Sequence, residues 1–171
     1  MKDCQQDDPC PINLQVPNTK KGKNKTIWKN MNKLQYCNRN EDCYYLPLRI
    51  VFPRVTKAGD TFVYRLPSAY PEPNPVWSVS AGIGRPQYFQ FDSSAILRKK
   101  NTGHVKLLFK KAVMDANFSD PSKIVVAFYN GKKWRNNFIP FQVVTQGQTQ
   151  FYQVQFPKRR RLVGMIAFFE E

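Results

Sequence analysis

The chain is 171 residues long, 42% hydrophobic and 14% aromatic, with 27 Lys/Arg against 12 Asp/Glu and a net charge of +15. Its thirteen prolines argue against a helical bundle, and no apolar run reaches the roughly 18 residues that a membrane-spanning helix needs. A charge of this size favours anionic surroundings, such as nucleic acid, phospholipid headgroups or an acidic protein face, and says nothing about fold.

Residues 1–43 read as a basic N-terminal arm. They hold all four cysteines, Cys4, Cys10, Cys37 and Cys43, in two pairs with five residues between the members of each. Between Pro9 and Asn40 there are seven Lys/Arg and no Asp or Glu, with Lys20, Lys21, Lys23 and Lys25 densest. The stretch has too few large apolar residues to fold alone, so its use is contact with something else. Ile27, Trp28, Met31 and Leu34 are candidate anchors. Ile27, Met31 and Leu34 recur at helical spacing, which predicts a short helix over Thr26–Tyr36 on a partner. The start, Met1-Lys2-Asp3-Cys4, lacks the apolar core of a signal peptide, so synthesis in the cytoplasm is expected.

Residues 44–171 read as the body. Tyr44–Phe52 predicts an edge-like strand broken by Pro47. In Thr61–Leu66, Phe62, Tyr64 and Leu66 alternate with Val63 and Arg65. A four-proline loop, Pro67–Pro75, follows, then short strands at Val76–Ile83 and Gln87–Phe91. Val105, Leu107 and Phe109 alternate with lysines, and one helical turn is expected near Ala112–Asn117. Ile124–Tyr129 is apolar on both faces and predicts an interior strand. It enters Asn130-Gly131, a strong hairpin signal, with Lys132–Ile139 as the return strand. Phe141–Thr145 and Thr149–Phe156 flank Gln146-Gly147, a second hairpin. Leu162–Phe169 closes the chain as a strand rich in aromatic and β-branched residues.

Short strands punctuated by regular turn signals predict an all-β fold, a single β-sandwich. A jelly roll of about eight strands fits the count, and an immunoglobulin-like sandwich fits nearly as well, although the cysteines lie outside the body and supply no core bridge.

Sequence motifs for catalysis are absent. There is no phosphate-binding glycine loop, no H-E-x-x-H and no G-x-S-x-G. His104 is the lone histidine, and no two body carboxylates are spaced for acid–base work. Neither an enzyme nor a cofactor is expected. For the cysteines, disulfides are preferred. Zinc is the alternative, since structural sites separate paired ligands by two to four residues rather than five, and free thiols are the third reading. Four cysteines allow three pairings, among which spacing does not choose.

Four basic clusters punctuate the chain: Lys20–Lys25, Arg98-Lys99-Lys100, Lys132-Lys133-Trp134-Arg135 and Lys158-Arg159-Arg160-Arg161. The last presents four charges together in a loop between apolar strands. Such clusters grip phosphates without reading sequence. A small basic chain with an N-terminal arm and one sandwich body resembles the minor capsid or penton-type proteins of large icosahedral double-stranded DNA viruses, such as those infecting algae. The likeness is one of general character over the whole chain and carries no motif that transfers residue roles. It implies a non-enzymatic virion protein that bridges neighbours through its arm, with major capsid protein, other capsid proteins or an anionic lipid or nucleic-acid surface as partner. Two other functions compete: a nucleic-acid or ribosome-associated protein, from the basic loops, and a carbohydrate-binding sandwich, from Trp77, Trp134 and the tyrosines.

Overall fold

A computed structural model of the chain describes residues 12–19, 22–27, 35–37, 43–45, 48–66, 86–98, 103–135 and 137–170, with residues before 48 and residues 64–66 described by their backbone. The strands are β1 (Ile12–Thr19), β2 (Gly22–Ile27), β3 (Gln35–Cys37), β4 (Cys43–Tyr45), β5 (Leu48–Lys57), β6 (Gly59–Leu66), β7 (Gln87–Ser93), β8 (Ile96–Leu97), β9 (Lys106–Lys110), β10 (Ile124–Tyr129), β11 (Phe141–Gln146), β12 (Thr149–Gln155) and β13 (Val163–Glu170). A one-turn helix, α1 (Lys111–Asp115), follows β9, and a 3-10 turn at Pro121–Lys123 leads into β10.

Two antiparallel sheets pack face to face. One has the order β1-β6-β7-β13-β10; the other runs β11-β12-β9-β5-β2, with β8 paired to β5. The expected sandwich is therefore present. These orders establish two packed sheets; they do not by themselves select the jelly-roll path.

Period-two alternation drives the packing. In β5, Leu48, Ile50 and Phe52 are fully buried, as a strand with one face on a core requires. Aromatic rings from both sheets interlock between the layers. Phe109 of β9 lies 4.9 Å from Phe89 of β7 and 4.6 Å from Phe168 of β13, ring centre to ring centre. Phe156, just beyond β12, lies 5.0 Å from Phe128 of β10 and 6.0 Å from Phe91 of β7. Each such buried ring stabilises the fold by about 1.5–3 kcal/mol relative to exposure. Gly164 lets β13 pass close to β10: it has φ +147, and a Cβ there would sit 2.7 Å from a Phe128 ring carbon and from the Tyr129 carbonyl.

Several expectations are corrected. β5 is not an edge: it lies between β9 and β2. Pro53 falls between the stretch paired with β9 (Leu48–Val51) and the part paired with β8 (Val55 and Lys57), a gap that tolerates a missing donor. Ile124–Tyr129, expected inside a sheet, ends its sheet as β10. It is apolar on both faces because Trp134 and Phe138 pack over the outer side with Ala127, Met165 and Phe169. Lys132–Ile139 is accordingly not a regular return strand. Gly131 turns the chain at φ +95, the Asn130 side chain accepts from the Lys132 and Lys133 amides, and among the described residues an isolated Tyr129–Trp134 bridge and scattered bonds follow, from Arg135 N to Phe128 O and from Ile139 N to Val126 O. The second hairpin forms as expected, with β11 and β12 joined through Gly147 at φ +62.

The arm segment also differs from expectation. β1 pairs with β6 and β2 with β5, so residues 12–19 and 22–27 supply an outer strand to each sheet. Backbone ladder bonds need no apolar side chains, and a polar, lysine-bearing strand is a suitable sheet edge. Thr26 and Ile27 close β2, and Gln35 and Tyr36 open β3; the rest of the helix expected over Thr26–Tyr36 lies outside the described residues. Trp28, Met31 and Leu34 lie outside the described residues, as do the Pro67–Pro75 loop and Val76–Ile83.

Candidate functional site: a cationic end of the sandwich

Ladder registry brings described members of the four basic clusters to one end of the sandwich, while Lys99 and Lys100 lie outside the described residues. Lys23 of β2 stands opposite Arg54 of β5, and Val55 and Lys57 stand opposite Leu97 and Ile96 of β8. The Arg98 amide donates to the Arg54 carbonyl at 3.2 Å. From there the Leu97 amide donates to the Arg160 carbonyl at 2.7 Å, fixing the Lys158–Arg161 loop against β8. Arg159 reaches the other way and donates to the carbonyls of Asn130 at 3.0 Å and Val163 at 3.1 Å. That pair of bonds ties the loop to the turn carrying Lys132, Lys133 and Arg135. Arg54 is half-buried; Lys57, Arg98, Lys132, Lys133, Arg135 and all four cations of the 158–161 loop are exposed.

Beside the loop is a shallow cleft lined by Arg98, His104, Lys158, Arg159 and Arg161 over an apolar floor of Leu97, Val105 and Phe156. His104 is half-buried, with Nδ1 3.0 Å from the Phe156 carbonyl. It belongs to the wall of this cleft, and no sequence motif announced that. Asp60 and Asp92 are the described carboxylates at this end. Like charges gathered in this way repel one another and focus a positive potential that draws anions.

The opposite end is chemically different. It carries Asp115, Asp120 and Glu170, and two lysines there are paired with them: Lys111 to Asp115 at 2.6 Å and Lys123 to Asp120 at 4.0 Å. Glu170, 5% exposed, accepts from the Ser119 hydroxyl at 3.0 Å and the Asp120 amide at 2.6 Å. The hydrogen bond from the Ser122 hydroxyl, above all, holds the Asp120 carboxyl below its usual range.

Compared with protein-family models, curated proteins and solved structures, the chain matches none.

The candidate site residues fall into four groups. Lys158, Arg159, Arg160 and Arg161 lie at the centre of the cationic end. Lys23, Lys25 and Ile27 are in β2, opposite Arg54, Phe52 and Ile50. Lys20 and Lys21 lie outside the described residues, as do Cys4 and Cys10. Cys37 and Cys43 end β3 and begin β4. Trp134 is no open stacking platform, because its ring packs on Tyr129 with centres 5.4 Å apart.

Folding also assembles one polar cluster that sequence spacing hides. Tyr152 of β12 donates its hydroxyl to one Asp115 oxygen while Lys111 holds the other, and the Lys111 ammonium sits 5.4 Å from the Tyr152 ring centre. Burial first, and then the bond to Asp115, push the Tyr152 phenol well above its usual value. A phenol held protonated is a poor base, and its proton is committed to Asp115, so the cluster fastens α1 to β12. Because the folded state favours the protonated phenol, the stabilisation is complete below about pH 10 and drains away as pH rises further. Tyr152→Phe is expected to lower stability at pH 8 and to flatten the decline above pH 10, as read by thermal melts across pH 8 to 11. An unchanged alkaline slope would refute the assignment.

Proposed function

We propose that the chain is a non-enzymatic structural protein of a large assembly, a minor capsid protein of cement or penton type in a virion, seated on an anionic face of its neighbours through the cationic end. The carrying observation is the convergence of separate basic segments on one end, joined by the bonds from Leu97 to Arg160 and from Arg159 to Asn130. Two sheets locked together by interior aromatic rings make a body suited to bearing load. The contact with neighbours is assigned to this end rather than to the arm, because β1 and β2 are taken up by the chain's own sheets. An acidic patch on major capsid protein is the complementary surface.

A nucleic-acid-associated role is the second reading, favoured by the same charge. Sedimentation of the full-length tagged chain, in extracts of cells that contain the assembly, separates the two. The chain is expected in a large particle at low salt, released at about 1 M salt where the screening length falls to about 3 Å, and unaffected by nuclease. Release by nuclease favours the nucleic-acid role. Migration as a free monomer at low salt rejects both.

A further inference from the structure

We infer that Cys37 and Cys43 form an intramolecular disulfide that staples the β3–β4 hairpin. The ladder pairs Cys37 directly with Cys43, beside Tyr36 with Tyr44 and Gln35 with Tyr45. Directly opposed residues of an antiparallel pair have α-carbons about 4.5–5.5 Å apart. A disulfide accepts α-carbon separations of about 4.4–6.8 Å. The backbone therefore needs no movement to admit the bond, and among the three pairings open to four cysteines the register selects the one containing Cys37–Cys43. Cys4 and Cys10 are left as a pair of their own.

A second observation gives the bond a purpose. β3 and β4 form a separate two-stranded sheet of three residues per strand. Hairpins of that size are marginal in water without further strands. The two cysteines sit at the inner ends of the strands and bracket the polar sequence Asn38-Arg39-Asn40-Glu41-Asp42. Closing that stretch covalently removes unfolded-state freedom that three residue pairs are too few to offset. In the oxidation each thiol gives up its hydrogen and the two sulfurs join. The two protons and two electrons pass to glutathione disulfide, which leaves as two glutathione thiols. The staple is independent of how the cationic end is used.

The sequence offers a direct test, because Arg39 lies between the two cysteines. The full-length protein is equilibrated with glutathione disulfide, alkylated with iodoacetamide and digested with trypsin without reduction. Cleavage after Lys33, Arg39 and Arg49 places Cys37 in Leu34–Arg39 and Cys43 in Asn40–Arg49, while Cys4 and Cys10 share Asp3–Lys20. The two former peptides are expected as one joined species that dithiothreitol separates, and the same species is expected from a Cys4→Ser/Cys10→Ser variant. Recovery of both peptides alkylated and separate overturns the proposal. So does linkage of either to Asp3–Lys20, or protection from alkylation that a zinc chelator abolishes.

Discussion

Phe109→Ala is expected to destabilise the fold by about 3–5 kcal/mol, the range for emptying a buried aromatic site. Phe109 is fully buried on β9, a strand flanked by β12 and β5. Its ring touches Phe89 and Phe168, which come from β7 and β13 of the facing sheet. Removing it loses apolar burial, and it also loses two ring contacts, one tilted and one edge-on, worth about 0.5–1.5 kcal/mol each. The neighbours are held by ladders on both sides and have little freedom to collapse into the void. Such a loss is a large share of the about 5–15 kcal/mol that separates folded from unfolded domains. Urea titration followed by fluorescence reads it as a lower midpoint with unchanged slope. A shift below about 1 kcal/mol would mean that the two sheets do not meet at this ring.

Replacing Lys158, Arg160 and Arg161 together by Gln is expected to remove most of the polyanion affinity while leaving the melting temperature nearly unchanged. All three side chains are exposed, and exposed substitutions of this kind usually change stability by less than about 0.5 kcal/mol. Arg159 is retained in the variant because its bonds to the Asn130 and Val163 carbonyls hold the loop in place. With a DNA duplex as probe, each lost phosphate contact lowers the slope of log affinity against log salt by about 0.9, so three contacts lower it by about 2.7. Lys123→Gln, at the end where Lys123 is paired with Asp120, is expected to leave that slope unchanged. Equal slopes for the triple variant and the parent would show that the loop is only a solvated surface.

Much of the body was legible in the sequence. In Thr149–Phe156, Tyr152, Val154 and Phe156 alternate with Gln153 and Gln155, and all three are buried. Asn130-Gly131 and Gln146-Gly147 both turn the chain with glycine at positive φ. What failed was partner choice. Ile124–Tyr129 looks like an interior strand because both faces are apolar, yet one face is covered by Trp134 and Phe138 from a loop. Periodicity reports which faces are buried; it does not report what buries them. The same limit applied to the polar arm, whose β1 and β2 join the sheets through backbone bonds that side-chain composition does not encode.

For the candidate site, the sequence by itself determined the charges and their local grouping: Lys158–Arg161 is a run of four cations whatever the fold. Tertiary structure alone decided that Arg54, Arg98, Lys132 and this run share one end, because residues more than a hundred positions apart become neighbours only through strand registry. It also placed the described, lysine-paired carboxylates Asp115 and Asp120 at the far end. Charge is a property of residues, whereas a directed field is a property of their arrangement, and the arrangement here is set by which edges pair.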